Sequence, residues 1–493
     1  MTTSGTDLTR AAPQTDADVL VVGAGPAGLA CTARLLAETD LSVTLVDAGH
    51  DIGGQYWRQP APQPGSKALG GARHGELHHD LSIFHELRDR VELGRAEGRA
   101  EVLLAHHVWA VAPAGNGYVV HAVDRGGPPG RERGATLRGR ALVIATGAFD
   151  RSLPFPGWDL PGVMTAGGLQ ALLKAGDVAA GRRIAVGGSG PFLLPVAASL
   201  AARRATVVGV FEANPPTRWL RELPAVARNV GKLGEGAGYA ASLLRHRVPV
   251  RTGRMIVAAH GTTRVEAVTV ARLDRTGRIV PGSERPHEVD AVGVGWGFTP
   301  QLDLAVTLGL TLVPDAGGTP VVAVDRLQRA SRPQVYAAGE TCGVGGAALA
   351  VAEGRLAAAG IAVDLAGQGA PKGTRQIGSV RRLRAFAAAI MRAHPVPAGW
   401  ADALRADTVV CRCEEVTCGA IRAAIADHGA ADARQVKQLT RAGMGWCQGR
   451  VCGFSASMLT TGGPGEPVER LVSAPVPLGV VAQLADPAPD SAM

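Results

Sequence analysis

DVLVVGAGPAGLACTARLLAETDLSVTLVDAGHDIGG, residues Asp18 to Gly54, contains a complete strand–turn–helix–strand unit. An apolar strand, Val19 to Val22, runs into Gly23, Gly25 and Gly28, and an apolar helix follows from Pro26 to about Ala37. A second strand, Val43 to Val46, delivers the carboxylate of Asp47. Gly23 permits the tight turn, Gly25 lets a pyrophosphate approach the backbone, and Gly28 lets helix and strand pack closely. The helix N-terminus offers unpaired N–H groups to the phosphates, and Asp47 is placed for ribose hydroxyls.

Around this unit the chain has 493 residues, enough for about three domains, with 46% apolar content typical of a globular protein. The formal charge of +8 is carried almost wholly by arginine. No basic stripe interleaved with aromatics accompanies it, which argues against nucleic acid as a partner. Residues 1–17 are polar and lack a basic n-region and an apolar h-region. No run of about 18 apolar residues suggests a membrane span, so a cytoplasmic protein is expected.

After Asp47, Gly53 and Gly54 open a loop carrying Gln55, Tyr56, Trp57 and Arg58. From Glu76 to Leu93 the pattern is helical, with Leu77, Leu81, Phe84, Leu87 and Val91 on one face. Its histidines, His78, His79 and His85, read as solvated. Val102 to Val123 alternates and breaks at Gly115 and Gly117, the pattern of a β-meander. A buried strand follows at Ala141 to Ala145 and ends in Thr146 and Gly147. This order resembles two-dinucleotide-domain flavoproteins, where such a strand leads from the first flavin half into a nicotinamide-type domain. The disulfide reductases of that class have a cysteine pair soon after the glycine pair; here there is none.

Arg183 to Glu212 repeats the opening motif: strand Ile184 to Gly187, turn GGSGPFLL, helix Phe192 to Arg203, strand Val207 to Phe211. Gly188, Gly190 and Glu212 match Gly23, Gly25 and Asp47, but the third glycine is Leu193. A leucine there is expected to push the helix off the strand and narrow the pyrophosphate approach. The second copy is either a working NAD(H) site, Glu212 favouring NAD over NADP, or a vestige that keeps only the fold. Asp290 to Pro300 should mark the return to the first domain, and strand Val335 to Ala338 completes it. The Gly339-Glu340 that follows stands where the flavoprotein class carries Gly-Asp against the ribityl chain of FAD.

From Pro371 to Ala401 the chain carries six basic residues, Lys372, Arg375, Arg381, Arg382, Arg384 and Arg392, and no acid. Val380, Leu383, Phe386 and Ile390 share one helical face, which suits a connector packed on its own domain or a docking surface for an acidic subunit or an anionic membrane.

Five of the seven cysteines lie between Cys411 and Cys452, four of them as two close pairs. Cys411 and Cys413 precede a helix that Thr417 can cap, and Cys447 and Cys452 lie in a glycine-rich loop opening another. Four thiolates near helix N-termini suit an iron–sulfur centre. The spacings C-x-C and C-x4-C fit a zinc knuckle poorly, so a [2Fe–2S] centre is preferred. Cys418 and Cys31 read as bystanders in helices. Arg412 and Arg450 flank the ligands, either raising the potential of an anionic cluster or simply solvated.

This segment resembles the [2Fe–2S] domain of the bacterioferritin-associated ferredoxin type. With PFPGWDLPGVMTAGGLQ and MGWCQGRVCG, the chain from Asp18 to Phe454 resembles the FAD-binding subunits of opine and hydroxyproline dehydrogenases, of hydrogen cyanide synthase, and the central part of heterotetrameric sarcosine oxidase α subunits. The resemblance implies an α/β fold of two Rossmann-like dinucleotide-binding domains, the FAD domain discontinuous and the NAD(P)-type domain inserted, plus a small mainly helical [2Fe–2S] domain. It places a disordered tail at 1–17, the FAD domain at 18–150 and 290–370, and the NAD(P)-type domain at 151–289. A basic linker at 371–406, the [2Fe–2S] domain at 407–465 and a C-terminal tail at 466–493 complete the division.

Implied FAD contacts are Gly23, Gly25, Gly28, Asp47, Gly54, Gln55, Thr146, Gly147, Gly339 and Glu340. In some relatives an adenine nucleotide takes that first site. Gly188, Gly190 and Glu212 would serve NAD(H), and Cys411, Cys413, Cys447 and Cys452 the cluster. No catalytic residue is expected, because in such complexes a partner flavoprotein β subunit oxidises the amine and this subunit relays electrons; a small ferredoxin-like subunit is a further implied partner. A self-sufficient NADH-dependent reductase and a non-enzymatic iron-handling module remain as alternatives.

Overall fold

The computed structural model describes residues 14–60, 77–128, 130–369, 374–467, 470 and 472–485. The opening motif forms strand β1 (Gln14–Val22), helix α1 (Pro26–Glu38) and strand β2 (Val43–Val46), with β1 and β2 parallel from Val19↔Val43 to Val22↔Val46. β1 begins ahead of Asp18 because Gln14 to Ala17 pair with Thr136 to Gly139 of a neighbouring strand. The expected tail is therefore strand from Gln14 on, while residues 1–13 lie outside the described residues.

α2 (Leu81–Ala96) packs Phe84, Leu87 and Val91 into the core that α1 builds. Leu77 lies apart from that face, in the core of the second fold. His78 is buried, its Nε2 2.6 Å from the Arg58 carbonyl, so the expectation of a solvated ring is corrected. The chain folds back here against the loop after Gly54, and tertiary packing overrides the helical pattern. His79 meets the hydroxyl of Tyr239 at 2.7 Å.

β3 (Ala100–Leu103), β4 (His106–Ala114), β5 (Gly117–Asp124) and β6 (Arg133–Ile144) complete a sheet of order β3-β2-β1-β6-β5-β4. β4, β5 and β6 form the expected antiparallel meander. β7 (Ala148–Asp150) then leads into a second sheet made of β8 (Val163–Thr165), β9 (Arg183–Gly188), β10 (Thr206–Glu212), β11 (Val250–Thr252) and, later in the chain, Ala291–Gly295. Helices α3 (Ala166–Gly176), α4 (Leu193–Ala202) and α5 (Val230–Arg245) lie between these strands in the chain. An antiparallel layer, β12 (Arg254–His260), β13 (Ala267–Arg272) and β14 (Arg285–Glu288), precedes β15 (Ala291–Gly295). The second sheet is parallel throughout, in order β11-β10-β9-β15-β8.

β16 (Phe298–Pro300) pairs antiparallel with β7, so the two crossing segments between the folds run side by side. After the hairpin β17 (Leu312–Pro314) and β18 (Pro320–Val322), β19 (Val335–Ala337) rejoins the first sheet beside Leu142 to Ile144 of β6. α6 (Ala347–Leu365) then packs on α1 at very close range, because a Cβ on Gly354 would lie 2.0 Å from the Ala27 carbonyl oxygen.

The basic linker forms α7 (Thr374–Ala393). Val380 packs with Leu349 and Leu356 of α6, while the Phe386 ring lies 6.2 Å from Trp219 of the second fold. The C-terminal segment holds β20 (Val409–Cys411), β21 (Val416–Thr417), α8 (Cys418–Ala426), α9 (Ala433–Thr440) and α10 (Gly453–Thr461). Its core is continuous with that of the second fold: Trp158, Phe211, Met255 and Val268 belong to one apolar cluster with Trp400, Val410, Ile421 and Val436. Beyond it, α11 (Leu478–Ala485) lies on β6 and sets Val480 beside Trp109 and Val123. The segment read as a C-terminal tail is thus helix at 478–485, since Val480 finds an apolar slot on the meander.

Candidate cofactor sites

In the first glycine turn two glycines are structural and one faces open space. A Cβ on Gly23, whose φ is +110°, would lie 2.2 Å from the Ala145 carbonyl oxygen, and one on Gly28 only 1.8 Å from that of Gly23. At Gly25 it would meet nothing within 4 Å, which leaves the cradle a diphosphate needs at the N-terminus of α1. Asp47 is held at the end of β2: Oδ2 accepts the N–H of Ala24 at 2.5 Å and Oδ1 that of Gly49 at 2.6 Å. Gly54 closes on the cradle, 2.9 Å from the Gly25 Cα if it bore a Cβ, while the Gln55 side chain turns to Arg58 at 2.6 Å. Thr146 donates to the Gln301 carbonyl at 2.9 Å, and Gly147 beside it is open. Glu340 accepts the N–H of Gly346 just before α6, and burial pushes its carboxyl above the usual range. These residues fit FAD: Gly25 leaves room that a diphosphate would need, and Asp47 stands where a carboxylate would serve a ribose.

Beneath Gly339 lies a pair that sequence reasoning missed. Glu353 is fully buried, its Oε2 accepts the Gly339 N–H at 2.9 Å, and its other oxygen meets Arg384 at 2.6 Å. Burial raises its carboxyl to about 7 against the pull of Arg384. An acid in the middle of a helix otherwise buried on nearly every face was the readable signal.

The second turn repeats the first in its backbone but not at its far end. Gly188 has φ +135° and abuts the Gly295 carbonyl, Gly190 is open, and Glu212 accepts the N–H groups of Gly190 at 2.8 Å and Asn214 at 2.9 Å. The expected narrowing by Leu193 does not occur at the cradle. Its side chain is buried toward Gly295, whose missing side chain leaves the room, and nothing crowds Gly190. Instead His394 lies against Glu212, Nδ1 to Oε1 3.3 Å, with both side chains 12% exposed. Ser189 Oγ donates to the His394 carbonyl at 3.0 Å, and Asn214 Nδ2 to the Pro395 carbonyl at 3.0 Å. The chain's own His394 and Pro395 thus stand at the carboxylate end of the second turn.

The four clustered cysteines come together two by two. Cys411 pairs with Cys452, both 1% exposed, and Cys413 pairs with Cys447 nearer the surface. The Cys452 thiol and the N–H groups of Gly443, Glu414 and Cys413 all point at the Cys411 sulfur and hold it down to about 5. Two pairs of thiols flanked by backbone donors suit a two-iron centre better than zinc. The helices start as expected: Thr417 caps α8 through the Ala420 N–H, and Cys452 is the first residue before α10. Cys418, Cys31 and Cys342 are buried elsewhere, and burial pushes the last two thiols up to about 12.

Three clamps hold this segment on the flavoprotein body. Arg412 stacks on Trp158 at 3.9 Å and donates to its carbonyl, while Trp158 Nε1 donates to the Val409 carbonyl at 2.6 Å. Asp303 takes Arg450 at 2.9 Å and Arg470 at 3.2 Å. Arg151, just past β7, stacks on Phe454 at 4.1 Å and donates to the Phe298 carbonyl and Thr319 hydroxyl, each at 3.0 Å. Arg412 and Arg450 therefore both have partners on the body, Arg450 half-buried and Arg412 with one side still open to solvent.

Residues 17–363 match the pyridine nucleotide-disulphide oxidoreductase family, and residues 409–456 the BFD-like [2Fe-2S] binding domain. An opine oxidase subunit from Rhizobium meliloti (strain 1021) is 36% identical over 489 residues, covering 95% of this chain and 99% of that one. Hydrogen cyanide synthase subunit HcnB of Pseudomonas aeruginosa is 32% identical over 437 residues, 88% of this chain and 90% of that one. Among solved structures, L-proline dehydrogenase from P. horikoshii shares the fold with a TM-score of 0.67 at 20% identity, over 96% of this chain and 80% of that chain. No described helix is long and apolar enough to cross a membrane.

Proposed function

The chain belongs to the pyridine nucleotide-disulphide oxidoreductase family and is a flavoprotein oxidoreductase subunit of the opine oxidase and hydrogen cyanide synthase type with a [2Fe–2S] domain; from that premise we propose that it relays electrons for a partner subunit that oxidises an amine. The partner would be a second flavoprotein, and the substrate an opine, hydroxyproline, proline or glycine type of amino compound. When bound, FAD accepts electrons in pairs and a [2Fe–2S] centre carries them singly. Gly23, Gly25, Gly28, Asp47, Gly54, Gln55, Thr146, Gly147, Gly339 and Glu340 would hold the first, and Cys411, Cys413, Cys447 and Cys452 the second.

The observation that carries this reading is the junction at Arg151. One buried guanidinium joins the strand that leaves the flavin half to Phe454, two residues past Cys452, so the two candidate redox sites belong to one packed unit. No cysteine pair follows Gly53 and Gly54, so the disulfide relay of the reductases in this class has no counterpart at that position.

The test is to express the chain with its genomic neighbours, isolate it, and record the visible spectrum before and after adding proline, hydroxyproline, opines, glycine and sarcosine. A second flavoprotein should accompany the chain, and one of these substrates should bleach the flavin and cluster bands. Cysteine-to-serine changes at 411, 413, 447 or 452 should abolish the cluster bands, whereas Cys418→Ser should keep them. A colourless chain, or one that oxidises the amine alone, would sink the proposal.

A further inference from the structure

We infer that the second dinucleotide fold is closed by the chain's own His394–Pro395 segment, which stands where a nicotinamide nucleotide would place its adenosine ribose, and that this chain therefore exchanges no electrons with NAD(H). The two folds allow a direct comparison. In each, the acid at the end of the second strand accepts the N–H of the glycine turn and that of the residue two positions on: Ala24 and Gly49 for Asp47, Gly190 and Asn214 for Glu212. Both acids end the second strand of their fold, Glu212 with its longer side chain reaching one residue further along the turn than Asp47, and both could serve a ribose diol. What differs is the space in front of them.

At Glu212 that space holds the imidazole of His394. Trp219 donates its indole N–H to His394 Nε2 at 3.1 Å, and an indole can only donate, so Nε2 is the acceptor and the ring proton sits on Nδ1. Nδ1 is the nitrogen that lies 3.3 Å from Glu212 Oε1, off the line of a hydrogen bond but close enough to screen the carboxylate. The backbone seals the same place. The Ser189 hydroxyl, inside the turn between Gly188 and Gly190, is spent on the His394 carbonyl, and Asn214 bridges Ser189 at 2.8 Å and the Pro395 carbonyl at 3.0 Å. To admit a ribose, the site must break these bonds and expel a ring.

The plug is tethered on both sides. Upstream, Arg392 at the end of α7 makes a bidentate pair with Glu222 at 2.9 and 2.7 Å, and Phe386 lies near Trp219. Downstream, Gly399 N–H donates to the Gly277 carbonyl at 3.0 Å and Arg278 pairs with Asp402 at 3.1 Å, so the chain is pinned to the second fold before it enters the cysteine segment. The second fold then serves as a platform for that segment, and the electron donor is restricted to a partner protein. Gly190 stays open, so the closure lies at the ribose end alone.

Isothermal titration of the flavin- and cluster-loaded full chain with NADH, together with stopped-flow mixing, tests this. Wild type should show no saturable binding up to millimolar NADH and no bleaching of the flavin. His394→Ala should gain saturable binding at least about tenfold tighter than that limit, roughly 1.4 kcal/mol, and adding Glu212→Gln should abolish the gain. Saturable micromolar binding to wild type, or no gain in His394→Ala, would overturn the inference. If His394→Ala fails to fold, the wild-type titration still decides. Neither result bears on whether a partner subunit supplies electrons, which the substrate-bleaching experiment reads separately.

Discussion

At Gly25 an added methyl group would meet nothing within 4 Å, whereas at Gly28, three residues on, it would lie 1.8 Å from the Gly23 carbonyl oxygen. Gly25→Ala should therefore leave the melting temperature nearly unchanged while flavin content falls several-fold. Gly28→Ala should destabilise the fold by about 3 kcal/mol, seen as a lower urea midpoint. Glu353 gives a pH dependence. Its carboxyl sits at about 7 in the folded chain against an ordinary 4.5, so between those values the folded state keeps a proton that the unfolded state releases. Stability from this group is full below about 4.5 and is lost as pH rises toward 7, by roughly 3 kcal/mol at most. Urea midpoints from pH 4.5 to 8 should show that decline in wild type and lack it in Glu353→Gln. The glycines, Asp47, Glu212 and the four cysteines were legible because each sits at a local spacing that its chemistry demands. His394, Arg151 and Asp303 were not: Arg450 reaches Asp303 across 147 residues, a separation that carries no local spacing.

Among the elements, those with a strong period read cleanly. β1, α1, β2, β9, α4 and β10 fall within a residue or two of expectation, except that β1 extends back to Gln14. The errors came where a neighbour supplied the reason for order. Gln14 to Ala17 became strand because β6 was there to pair with, and α11 formed because Trp109 and Val123 left a slot. The loop Gly157 to Pro161 shows what such contacts achieve: it has little regular structure, yet Trp158 fixes the cysteine segment through its ring, its indole N–H and its carbonyl. Trp158→Ala should cost about 3 to 5 kcal/mol and expose the chain at 405–411 to protease while leaving the first sheet protected. Equal resistance in the variant would mean that the clamp at Asp303 and the stack at Arg151 suffice alone.

For the molecule as a whole, family and architecture could be read from sequence because two copies of one motif and one cysteine cluster announce them, but the join between them could not. That join has a consequence for how the protein comes apart. The antiparallel layer β12–β14 and the cysteine segment share a single hydrophobic core, in which Met255 and Val268 belong with Ile421 and Val436. Elements that share a core open together, so these two regions form one cooperative unfolding unit and the first sheet another. Stripping iron with a chelator should then speed amide exchange in β12 and β13, far from any sulfur in sequence, while β1 and β6 exchange at their former rate. Slow exchange throughout would show two independent units. On this account metal insertion is a folding step for the middle of the chain, and an enzyme that lacks iron, though still carrying its flavin, would be cut there by proteases first.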